Sequence, residues 1–139
     1  MKFNVFNRRE RRRDRSGLPV NAIKKQLDHL SREGKFKIVI LATENSLISV
    51  NIDSELDSSQ ISTIARSIWK ISKIANEFED VLDIHQISLS EMSGANGIVC
   101  YSFTVRKQMV VLICITKVES VHSELLEKAS KGIVRIITE

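Results

Sequence analysis

DSSQISTIARSIWKISKIANEFED, residues 57–80, decides how this chain folds. Its apolar side chains recur at Ile61, Ile64, Ile68, Ile71, Ala75 and Phe78, three or four residues apart, which is the spacing of one stripe along an α-helix. Trp69 and Ile74 fall outside that stripe, one on each flank, so the apolar arc is wider than a small surface helix needs to cover one face of a sheet. In a chain of 139 residues the expected cover for the remainder is a second copy of the same helix. Partner binding is therefore the leading functional reading, and Ile61, Ile64, Ile68, Trp69 and Ile74 are its candidate dimer contacts.

On the N-terminal side, folding is expected to begin near Gly17. Pro19 suits the first turn of a helix, Val20, Ile23, Leu27 and Leu30 give it one apolar stripe, and Gly34 supplies the stop. Residues 36–42 and 47–52 are β-branched and apolar runs separated by Thr43, Glu44, Asn45 and Ser46, which reads as a β-hairpin. Its first strand is apolar on both faces and belongs inside a sheet. Asp53, Ser54, Asp57, Ser58 and Ser59 suit the cap and acidic first turn of the long helix.

On the C-terminal side, residues 81–90 read as a strand and 92–97 as a loop holding Gly94, Asn96 and Gly97. Residues 98–105 and 109–116 make a second hairpin through Arg106, Lys107 and Gln108. A final helix spans about 120–137, with Val121, Leu125, Ala129 and Ile133 on one side and Glu124–Lys128 and Glu127–Lys131 pairs exposed. Gly132 within it costs about 1 kcal/mol relative to Ala. The order is helix, two strands, helix, three strands, helix.

Length and a 42% hydrophobic content agree with one domain, taken as residues 17–139. No apolar run approaches the roughly 20 residues that cross a bilayer, and the N-terminus lacks the apolar core of a secretory signal, so a cytoplasmic protein is expected. Cys100 and Cys114 lie in strand-like apolar sequence and read as reduced, buried thiols, with a disulfide or redox pair as the alternative. Charge is unevenly spread. Residues 1–15 carry Lys2, Arg8, Arg9, Arg11, Arg12, Arg13 and Arg15 against Glu10 and Asp14, a balance of +5 that leaves −1 for the rest. Residues 1–16 thus read as a basic, disordered arm. Three roles stay open for it: a solubilising tail, an anionic-membrane contact that also uses Phe3, Val5 and Phe6, and a contact with nucleic acid or acidic protein.

Catalysis finds little support. His29, His85 and His122 sit in separate elements, neither cysteine has a nearby histidine, and no metal-ligand spacing occurs. Gly94 and Gly97 precede a strand, whereas a phosphate loop needs a helix N-terminus behind it. Neither a cofactor nor a small-molecule substrate is expected. A sensory pocket would need polar groups converging on a cavity, and the sequence points to none.

The opening hairpin KIVILATENSLISV (37–50), the long helix, and the closing VVLICI (110–115) leading into a helix with GIVR (132–135) resemble the Roadblock family of dynein light-chain-like domains. That family includes bacterial members that pair with small polarity GTPases. The resemblance covers about residues 20–137 and implies an α+β fold, a five-stranded antiparallel sheet with helices packed on it. It also implies a non-enzymatic adaptor or regulator that homodimerises by joining third strands edge to edge and long helices side by side, and that meets a Ras-like GTPase or a scaffold protein. The joining strand would be 81–90, with His85 and Ile87 near the dyad; plain edge-strand packing is the alternative. No residue matches a carried-in arginine finger. Arg66, Lys70, Arg106 and Lys107 are conceivable partner contacts or simply solvated charge. The rival function is an electrostatic binder of anionic membrane or nucleic acid, in which the folded part only dimerises the arm.

Overall fold

The computed structural model describes residues 18–52, 55–93, 95–116 and 123–139. The expectations for the basic arm, Gly17, Asp53, Ser54, Gly94, Val121 and His122 lie outside them. The elements are α1 (Val20–Gly34), β1 (Ile38–Ala42), β2 (Leu47–Asn51), α2 (Ser58–Asn76), β3 (Gln86–Ser90), β4 (Gly97–Val105), β5 (Gln108–Thr116) and α3 (Ser123–Thr138). The five strands form one antiparallel sheet in the order β2-β1-β5-β4-β3. Element order and class are those expected from the sequence.

β1 holds the sheet together. It lies between β2 and β5, and all five of its residues are buried. Val39 and Leu41 join a core with α1 and α3 through Ile23, Leu27, Leu30, Leu126 and Ile133. Ile38, Ile40 and Ala42 join a second core on the opposite face, with Ile61, Ala65 and Ile68 of α2. The domain therefore has three layers: a helix pair, the sheet, and one helix.

Each boundary has a local cause. α1 ends at Gly34, where the sequence reading stops it, and the left-handed conformation that closes the helix falls on the next residue, Lys35 (φ 56°), whose N–H bonds Ser31 O. Gly34 serves another need, because a Cβ there would overlap the buried Phe36 ring. At the start of α2 the Asp57 carboxylate accepts from Gln60 N–H at 2.8 Å, while Gln60 Oε1 accepts from Asp57 N–H at 3.0 Å, a reciprocal cap.

α2 ends at Asn76, short of residue 80, and β3 starts at Gln86, later than residue 81. Glu77, Glu79 and Asp80 crowd the negative end of the helix dipole, where carboxylates are disfavoured. The chain turns instead, with Val81 and Leu82 N–H both bonding Phe78 O at 2.9 Å, so these two residues never reach the ladder.

The link between β4 and β5 is tighter than the sequence suggests. Gln108 pairs with Val105, leaving Arg106 (φ 51°) and Lys107 (φ 68°) as a two-residue left-handed turn. In α3, Gly132 faces the Gln26 amide, which a Cβ would meet at 3.1 Å, so the glycine lets α1 and α3 close together.

Val99 and Cys114 are cross-strand partners, as are Cys100 and Ile113, which puts the two thiols on opposite faces of the sheet. Both are free and buried. Burial pushes the Cys100 thiol up to about 11, against weaker opposing hydrogen bonds to Ile87 O and the Ser72 side chain. Burial, with a smaller contribution from Cys100, raises Cys114 further.

Three outcomes follow from this packing. Gly34→Ala should lower stability by about 1–3 kcal/mol in urea unfolding, as expected for overpacking. Replacing Arg106 and Lys107 together with Asn and Gly should raise stability by about 1 kcal/mol or more, because each L-residue held left-handed costs roughly that. At pH 8 the native thiols should alkylate at least about a hundredfold more slowly than those of the urea-unfolded chain, read by mass spectrometry.

Candidate interaction surface

Two helices cover one face of the sheet and a single helix the other. Five strands span about 24 Å at roughly 4.8 Å each, whereas a helix with its side chains is about 10–12 Å across. α2 therefore covers about half of its face, and it lies over β5 and β1.

Its sheet-facing residues are Ile61, Ala65, Ile68, Ser72 and Ala75. This departs from the stripe read in the sequence: Ile64 is half-buried, and Ile71 and Phe78 are each 40% exposed. The helix is rotated because Ala65, Ser72 and Ala75 let its backbone come close, while Ile38, Ile40, Val111 and Ile113 of the sheet fill the volume. Ser72 is tolerated there because its hydroxyl meets the Cys100 sulfur.

The rotation makes the two flanks unlike. Trp69 leans toward the β1–β2 turn, beside a cleft of about 550 Å³ that also holds Thr43, Arg66 and Lys70. Its indole Nε1 donates to Met109 O at 3.4 Å, and Lys73 Nζ lies 5.5 Å from the ring centre. The indole thus serves the fold of its own subunit. On the opposite flank Ile64, Ile71 and Ile74 follow one another along the helix, and Ile74 is 60% exposed.

That second flank looks toward the uncovered part of the face. Ile64 meets Leu89 of β3 and Ile98 of β4 at a cleft of about 730 Å³. Ile87 packs beside them, against the same core. Three polar residues of this cleft are linked in a chain: Lys37 Nζ donates to Asn96 Oδ1 at 3.2 Å, and Asn96 Nδ2 donates to Glu91 Oε1 at 3.0 Å, which also accepts from Ser93 Oγ at 3.0 Å. They form no nucleophile–base arrangement, and no group of three metal-ligating side chains occurs among the described residues.

β3 completes the surface. Ser102 N–H bonds His85 O at 2.7 Å, so in the observed register His85, Ile87 and Leu89 direct their backbone groups to β4. Gln86, Ser88 and Ser90 direct theirs outward, along an open sheet edge. His85 stands at the entry to this strand, with Nδ1 3.3 Å from Ser102 O and Nε2 3.1 Å from Asp83 Oδ1.

Of the residues singled out in the sequence, Ile64, Ile74 and Ile87 border one continuous apolar region, and His85 lies at its strand end. Ile61 and Ile68 lie beneath α2, and Trp69 lies on the far flank. Sequence reasoning missed Leu89 and Ile98; their alternation with Ser88, Ser90 and Gly97 was the available signal. Arg8, Arg9, Arg11, Arg12, Arg13 and Arg15 belong to no described segment. Among the described residues no helix is long and apolar enough to cross a membrane.

No protein-family profile and no curated protein sequence matches the chain. Solved structures do. Myxococcus xanthus MglB superposes with a TM-score of 0.67 at 15% identity, over 86% of this chain and 90% of that one. The gliding protein MglB from Thermus thermophilus gives 0.67 at 12% identity, over 86% and 91%. A structure described as MglB with a tetrameric arrangement gives 0.67 at 11%, over 86% and 90%. The sheet with its helices in the order α-β-β-α-β-β-β-α is thus a Roadblock-like fold of the kind found in MglB.

Proposed function

We propose that this chain is a non-enzymatic, homodimeric adaptor or regulator of a small Ras-like GTPase. One observation carries the dimer: the exposed Ile71 and Ile74 flank of α2 lies on the same side as the open edge of β3, over a sheet face that α2 only half covers. A second copy, related by a two-fold axis perpendicular to the sheet at that edge, pairs the Gln86–Ser90 edge antiparallel with its counterpart and lays the two α2 helices together on one face. A single act of association then satisfies backbone hydrogen bonds and removes hydrocarbon from water. Fully burying an isoleucine gains about 1.5–3 kcal/mol, so a few per subunit suffice for a stable dimer.

The GTPase reading rests on the Roadblock-like fold. Arg66 and Lys70 line the cleft beside the β1–β2 turn, and Arg106 and Lys107 form the β4–β5 turn at the same end of the sheet. These cations suit an acidic partner surface. The chain supplies no catalytic base or metal of its own in this reading, so its effect would come from positioning groups of the GTPase.

Sedimentation equilibrium at micromolar concentration tests the dimer. The native chain should give twice its 15.8 kDa mass. Ile74→Asp and Ser88→Pro should each give the monomer with unchanged circular dichroism, because Ile74 is exposed and Ser88 N–H points away from β4. Pull-down of Ras-like GTPases in both nucleotide states should succeed with the native chain, weaken with both variants, and persist at high salt without residues 1–15. A native chain that sediments as a monomer would end the reading, and binding lost with residues 1–15 would hand the function to the arm.

A further inference from the structure

Past the end of α2 the chain reads Glu77-Phe78-Glu79-Asp80-Val81-Leu82-Asp83, four carboxylates with no cation among them. Its backbone bonds are spent locally on a tight turn around Phe78 O. Its apolar side chains are left in water: Val81 is 80% exposed, Leu82 59% and Phe78 40%. Large apolar side chains gathered at one place on a small domain mark a surface that something covers.

Charge complementarity names the cover. Residues 1–15 carry +5, while the rest of the chain sums to −1. The arm is also built like the turn, with Phe3, Val5 and Phe6 followed by Arg8, Arg9, Arg11, Arg12, Arg13 and Arg15. Large apolar side chains beside cations face large apolar side chains among carboxylates.

Topology brings the two within reach. α1 is 15 residues, about 22 Å long, and joins β1 through a three-residue link, so it returns along the sheet and leaves Leu18 at the end opposite Ile38. α2 starts near Asn51, which pairs with Ile38, and runs past the Trp69–Met109 bond toward the end that holds the β4–β5 turn. Leu18 and residues 77–83 therefore lie at the same end of the sheet, on opposite faces. Seventeen residues extend to about 55 Å, enough to pass around the sheet.

We propose that the N-terminal arm docks in cis on the 77–83 turn. Arginines of 8–15 pair with Glu77, Glu79 and Asp80, and Phe3, Val5 and Phe6 cover Phe78, Val81 and Leu82. Asp83 takes the smaller share, because its carboxylate already lies 3.1 Å from His85 Nε2. The arm is thereby a reversible cover, and an anionic surface that recruits it must first compete with the chain's own carboxylates.

Paramagnetic relaxation tests this in the full chain. A nitroxide is attached at Asn4→Cys, the native thiols being buried. Amide signals of 77–83 should lose roughly half their intensity or more at 50 mM salt and recover at about 0.5 M, where the screening length is about 4 Å. Glu77→Lys, Glu79→Lys and Asp80→Lys together should abolish the effect. Adding Arg9→Glu, Arg11→Glu and Arg12→Glu to that variant should restore it. The Ser88→Pro background should behave identically, which separates this result from the fate of the dimer. Unaffected 77–83 signals at low salt would overturn the proposal. So would broadening seen only from labelled to unlabelled copies, or broadening indifferent to salt and to the charge swap.

Discussion

The structure depends on a shortage of cover. A five-stranded sheet has two wide faces, and this chain supplies a pair of helices for one and a single helix for the other. The pair can close its face because Gly132 lets α1 and α3 approach, joining Leu27, Leu126 and Ile133 in one core. The single helix cannot, whatever its sequence, since its diameter is about half the width it faces. What remains is arranged in one place: the apolar flank of α2 is turned toward β3 and β4, while Trp69 closes the other side against its own β5.

Rotation of α2 is what concentrates the surplus. Had Ile64, Ile71 and Phe78 been the residues pressed on the sheet, the helix would stand farther from β1 and β5. Ala65, Ser72 and Ala75 permit a closer seat, and the larger side chains move to a flank. The polar member of that seat is accommodated by a sulfur across the contact. Packing within one subunit and availability to another are thus two results of the same choice of small residues.

Much of this was legible in the residues. Alternation and apolar runs located all five strands, and β1 was recognisable as interior because Ile38 to Leu41 is apolar on both faces. The turn after α2 was not, because periodicity is blind to the helix dipole: Phe78 continues the stripe by position, yet the carboxylates around it favour leaving the helix. The role of Gly34 escapes sequence reading for a related reason. A glycine near a helix end looks like a conformational stop, and only the fold brings the Phe36 ring against it. The candidate surface was half visible, since helical spacing exposes Ile74 to inference but cannot reveal which strand lies beside it.

The pairing of β1 with β5 has a consequence for how the chain reaches this state. Ile38 lies opposite Ile115, and the helix that completes the core of α1 is α3, the last element of the chain. β1, an interior strand, and the first helix therefore complete their pairing only after nearly all of the domain has left the ribosome. Such long-range closure is slow compared with helix formation. During synthesis the apolar β1–β2 hairpin waits unpaired on one side, the stage at which capture by a chaperone or misassembly with a neighbouring nascent chain would most readily occur.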